Sequence, residues 1–87
     1  MMVFQSVEWF AEQMVKRLDE HQHKGGWRDC TFARLIQELE GHVEDLHYNL
    51  LEQGRGEFEV VRECADIANF AMMIADNFVE GTNDEEE

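Results

Sequence analysis

Two long segments with helical apolar periodicity flank Gln53-Gly54-Arg55-Gly56, and few folds satisfy that arrangement. The first segment follows Thr31, a good N-cap, and carries Phe32, Leu35, Ile36, Leu39, Val43, Leu46 and Leu50 as one continuous stripe. The second, from about Glu57 to Phe78, is apolar around more than half of a helical circumference, with Val60, Val61, Cys64, Ala65, Ile67, Ala68, Ala71, Met72, Ile74, Ala75 and Phe78. A tight glycine-containing connection between two such helices folds them back as an antiparallel hairpin. A further helix is expected upstream, capped by Ser6 and running into the low twenties. It has Phe10, Met14 and Leu18 at helical spacing and Lys24-Gly25-Gly26 as its stop. The chain has no proline and shows no strand-like alternation. The expected fold is all-α: a helical hairpin plus an N-terminal helix.

At 87 residues and 44% hydrophobic, one small domain cannot cover the apolar girth of the last helix from within. Assembly into a homo-dimer or tetramer, an oligomeric helix bundle, is therefore expected. Residues 1–79 read as the single helical domain, and the acidic run 80–87 as a disordered tail.

The formal charge of −13 argues against direct binding to nucleic acid or to an anionic membrane, since both require a basic face. It is compatible with a polyphosphate substrate when metal ions bridge carboxylates to phosphates. No apolar run is long enough to span a bilayer, and the opening Met1-Met2-Val3-Phe4-Gln5 lacks the basic start of a signal peptide. A cytoplasmic location is expected. Cys30 and Cys64 form no C-x-x-C pair and read as reduced packing residues.

Set into the two apolar segments are His42-x-x-Asp45 and Glu63-x-x-Asp66, each spaced so that both side chains leave one helix face. A turn near residue 54 or 55 places Asp45 opposite Glu63 and His42 opposite Asp66. On a helical wheel, Glu38, His42, Asp45 and Asn49 share one flank of the apolar stripe, while Glu40 and Glu44 fall on the other. His42, Asp45, Glu63 and Asp66 are thus candidate metal ligands at one height on facing helices, suited to magnesium and, given the imidazole, to manganese. His21-Gln22-His23 is not a comparable pair, because its spacing turns the two rings to different sides of a helix.

The run Lys24-Gly25-Gly26-Trp27, the helix after it, and Glu63-Cys64-Ala65-Asp66-Ile67-Ala68-Asn69-Phe70-Ala71-Met72-Met73-Ile74-Ala75-Asp76 resemble the MazG-like nucleoside triphosphate pyrophosphohydrolases, in particular their short phage and bacterial members. The resemblance covers roughly Trp9 to Phe78. The family signature is E-x-x-E on one helix and E-x-x-D on the next. Glu63-x-x-Asp66 matches the second half as written, whereas His42 and Asp45 stand where the first half has two glutamates. The resemblance implies an all-α oligomer that cleaves nucleoside triphosphates to monophosphate and pyrophosphate with a divalent metal. Glu38 and Asp45 are then the candidates to orient water or take its proton. Lys24, Trp27, Arg28 and Asn69 are candidates for holding the nucleotide, through charge, stacking and polar contact. Two other classes remain open: a catalytically weakened descendant serving as a binding or regulatory module, and an acidic interaction protein that imitates nucleic acid.

Overall fold

The computed structural model describes residues 3–21, 26–51 and 56–81. They form α1 (Val3–His21), α2 (Phe32–Leu51) and α3 (Glu57–Asp76), with a π-helical turn, Asn77–Gly81, prolonging α3. No strand occurs among the described residues, and no helix among them is long and apolar enough to cross a membrane. Both cysteines are free. Lys24, Gly25, residues 52–55 and the acidic run from Thr82 onward lie outside the described residues.

The helix ends show how local chemistry sets the boundaries. Thr31 caps α2 as its sequence suggests: its Oγ1 accepts the Arg34 N–H at 3.1 Å and its carbonyl accepts that of Leu35 at 3.0 Å. Gly26 has φ +73°, a left-handed conformation that glycine adopts without strain, and it opens the turn between α1 and α2. In contrast, α1 begins at Val3, so Ser6 lies inside the helix instead of capping it. Val3, Phe4 and Gln5 contain no breaker, and helical geometry extends through them.

Helix α3 is central. His42 on α2 meets Glu63 and Asp66, while Phe32 at the start of α2 meets Phe78 beyond the end of α3, so the two helices run antiparallel. Arg17 meets Asp66 and the Met14 carbonyl meets Asn69, which makes α1 antiparallel to α3 as well.

The face of α3 that lies deepest is not its most apolar one. Asp66, Asn69 and Asn77 are 4%, 2% and 4% exposed and share a line with Met73. The opposite line, Cys64, Ala68, Ala71, Ala75 and Phe78, is half-buried or exposed. Sequence periodicity predicts the reverse. The inversion has a physical cause, because each deep polar side chain of α3 and the turn that prolongs it meets a partner on α1 or the α1–α2 connection, the Asn69 Oδ1 being the one buried side-chain atom without a partner among the described residues. Leu35, Ala65 and Met73 are the only fully buried apolar residues among those described. That is a thin core for a chain this apolar, and Leu35→Ala is expected to lower stability by about 2–5 kcal/mol, measurable by urea unfolding.

Candidate metal centre

His42 lies on the flank of α2 that faces α3, and α3 presents Glu63 and Asp66 to it one turn apart. The His42 Nδ1 and Glu63 Oε1 are 3.0 Å apart, and the imidazole stacks on Phe70 with ring centroids separated by 5.4 Å and planes inclined by 22°. This stacking and the carboxylate together fix the ring. With the proton on Nδ1, the hydrogen bond orients the Glu63 carboxylate and leaves Nε2 as a lone-pair donor. Asp45, one turn after His42, is exposed. One donor atom from each of His42, Asp45 and Glu63 falls within 4.8 Å of the others. Around a single hard cation such donors would sit roughly 3–4 Å apart, so modest side-chain rotation closes the set.

Asp66 is held differently. Its Oδ2 lies 3.8 Å from His42 Nδ1, yet both its oxygens accept from the Arg17 guanidinium, Nε to Oδ1 and NH2 to Oδ2, each at 2.9 Å. Arg17 also donates to Glu20 Oε1 at 2.6 Å, and His21 Nε2 lies 2.9 Å from its NH2. Hydrogen bonding to Asp66 raises the Arg17 pKa above its ordinary value; burial opposes the rise and Glu20 adds to it. The guanidinium is therefore a fixed positive charge beside the centre at every working pH.

Two hollows meet at this point. A cavity of about 160 Å³ lies between the three helices, lined by residues that include Arg17, Glu38, His42, Asp66 and Asn69. A second, of about 290 Å³, opens on the outer side of α2 beside Glu38, Gly41, His42 and Asp45. Glu38 and His42 belong to both. Glu38 pairs with Arg34 across one helical turn at 3.0 Å, on the surface, where such pairs are weak.

Of the remaining candidates, Trp27 and Arg28 are placed apart from the carboxylates, whereas Asn69 lines the inner cavity with them. Trp27 Nε1 donates to Asp76 Oδ2 at 2.9 Å, and the Trp27 carbonyl accepts from Asn77 Nδ2 at 3.0 Å. Arg28 pairs with Asp76 at 3.0 Å and donates to Asn77 Oδ1 at 3.0 Å. Asp76 is ten residues past Asp66, about 15 Å along α3. Both side chains therefore clamp the α1–α2 connection to the end of α3. Asn69 donates through Nδ2 to the Met14 carbonyl at 3.0 Å, and its Oδ1 is buried without a hydrogen-bond partner. Lys24 lies outside the described residues.

Arg17 is the participant that motif reading passes over. Phe10, Met14 and Arg17 follow helical spacing, so a cation stands in line with the apolar stripe. A charge in that position needs a buried counter-charge, which was the available signal.

No protein-family model, curated protein or solved structure matches the chain. The centre's chemistry therefore rests on its own residues.

Proposed function

We propose that the protein is a metal-dependent nucleotide pyrophosphohydrolase that converts nucleoside triphosphates, ribo- or deoxyribo-, to monophosphates and pyrophosphate. The observation that carries this reading is the convergence of His42, Asp45 and Glu63 at the α2–α3 interface, beside two hollows. The MazG-like resemblance of Glu63-x-x-Asp66 and its apolar surroundings points to the same chemistry. Two carboxylates and one imidazole suit magnesium, and manganese better, because a neutral nitrogen contributes less to the harder ion. A cation held there would neutralise triphosphate oxygens and stabilise charge developing in the displacement.

The protein's own groups have separate tasks in this reading. Glu38 lines both hollows and, among the described residues, is held by a surface pair to Arg34, so with Asp45 it is a carboxylate placed to take a proton from attacking water. Asn69 uses one amide hydrogen on the Met14 carbonyl and turns an unpartnered acceptor oxygen, Oδ1, inward. The match of that oxygen is a donor, such as a sugar hydroxyl or a base amine.

The working unit in this reading is a homo-oligomer. Phe32, Ile36, Leu39, Val43, Leu46 and Leu50 follow alternating steps of four and three along α2, and Cys64, Ala68, Ala71, Ala75 and Phe78 do so along α3. Such spacing is that of a helix-bundle seam. Ile36, Val43 and Leu50 are 45%, 44% and 61% exposed in the protomer, and Ala71 and Ala75 are exposed as well. Pairing two hairpins along these seams makes a four-helix bundle and supplies walls to the open outer hollow. Sedimentation velocity at micromolar concentration is expected to show a dimer or larger species, with Val43→Glu shifting it to monomer. A folded wild-type monomer would refute the assembly.

Pyrophosphate release from nucleoside triphosphates in magnesium, manganese and chelator tests the activity itself. A folded oligomer that binds a divalent ion and nucleotide without turnover would favour the binding-module reading, for which Arg17's occupation of Asp66 is the supporting observation.

A further inference from the structure

We propose that Arg17 is a resident cation that weakens divalent-ion binding at the adjacent centre by holding Asp66 out of the ligand set. The inference rests on reading His42, Asp45 and Glu63 as a metal centre. The Asp66 carboxylate is the group shared between the two: Oδ2 is 2.9 Å from the Arg17 guanidinium and 3.8 Å from His42 Nδ1. It reaches the centre by position but spends both oxygens on a bidentate fork, the strongest geometry a guanidinium makes with a carboxylate.

The pair is also shielded from water. The side chains of Arg17 and Asp66 are 11% and 5% exposed, whereas that of Glu20, the other carboxylate on Arg17, is 54% exposed. Buried charges are screened less, so the guanidinium acts on the centre in two ways. It repels an incoming divalent ion, and it removes one of the three carboxylates that α2 and α3 offer. His21, at 2.9 Å from the guanidinium, helps hold it in place from the same helix. Arg17 thus provides positive charge at Asp66 without any bound ion. The fold remains satisfied when the metal is absent, and metal affinity is set lower than the carboxylate count implies.

Manganese titration of the full chain, by calorimetry and by the spin-resonance signal of free Mn²⁺, tests this with Arg17→Gln. Loss of the guanidinium is expected to tighten Mn²⁺ binding by about tenfold or more, since a buried like charge is removed and Asp66 is released. The thermal shift produced by Mn²⁺ should also exceed that of the wild type. Arg17→Lys keeps a charge without the fork and is expected to tighten binding by a smaller factor; it decides the matter if the glutamine variant does not fold. Unchanged or weaker Mn²⁺ binding in the folded variants, with wild-type binding present and abolished by Glu63→Gln, would overturn the role of Arg17 alone. Absence of Mn²⁺ binding in the wild type and all variants would overturn the metal centre and this inference together.

Discussion

Replacing Glu63 by glutamine is expected to reduce metal-dependent pyrophosphate release by about a hundredfold or more while leaving the thermal midpoint within a few degrees of wild type. Glu63 is half-buried, and its recorded polar partner is His42 at 3.0 Å. Glutamine has the same shape and can still hydrogen-bond the imidazole, so the α2–α3 contact persists. What disappears is the negative charge, and a divalent ion and the transition-state charge it balances depend on that charge for several kcal/mol, each 1.4 of which is about tenfold in rate. Turnover of a panel of triphosphates, with circular dichroism as the folding control, measures both halves of the expectation. Full activity in the variant would remove Glu63 from the centre.

The second large effect is on stability. Asp66→Ala is expected to destabilise the fold by about 3–5 kcal/mol, because it strands the Arg17 guanidinium at the α1–α3 interface with only Glu20 and His21 beside it. For a chain of this size each kcal/mol is roughly 4–8 °C of melting temperature, so the loss is well outside error. The pair itself adds far less net stability than its disruption removes, since two charges left water to form it. A double variant, Arg17→Met with Asp66→Leu, should therefore recover most of the loss. Urea unfolding of the single and double variants at one fixed protein concentration gives the comparison, the concentration being held because association and folding are linked. A mild effect of Asp66→Ala would show that the fork contributes little to holding α1 on α3. The same pair makes Asp66 a poor residue for a catalytic test, since its loss confounds folding with chemistry, and Glu63 is the better choice.

Much of this architecture is written locally. Thr31, the stripe from Phe32 to Leu50, and the glycines that punctuate the chain specify helices whose ends depend on neighbouring residues alone, and the structure places α2 and α3 accordingly. The antiparallel packing of α2 on α3 brings His42 within 3.8 Å of Asp66, as a constant rise per residue along facing helices predicts, and closer still, 3.0 Å, to Glu63. Three features were not legible in that way. The burial of Asp66, Asn69 and Asn77 depends on partners forty-nine to fifty-five residues distant, which helical periodicity does not encode. Arg17 stands in line with the stripe of α1 and so calls for a buried counter-charge, but only the packing of α1 on α3 identifies that counter-charge as Asp66. Trp27 and Arg28 carry the chemistry expected of a nucleotide-holding loop, but Asp76 and Asn77 engage them first. In each case a long-range polar contact decided the outcome, and apolar patterning could not reveal it.

The apolar faces left open have the same origin. With its polar line turned inward, α3 directs Ala71 and Ala75 outward, and α2 leaves Val43 and Leu50 about half exposed or more. A single protomer thus satisfies its buried charges before its hydrophobic surface, and a second protomer in the proposed assembly satisfies the rest.

The account turns on whether the carboxylate–histidine group performs metal-dependent chemistry on a nucleotide. The direct measurement is pyrophosphate release from a panel of ribo- and deoxynucleoside triphosphates, run in magnesium, in manganese and in excess chelator. The account predicts release from one or a few nucleotides, at least as fast in manganese as in magnesium, and none in chelator. Silence across the whole panel in both metals, from folded protein, would contradict it.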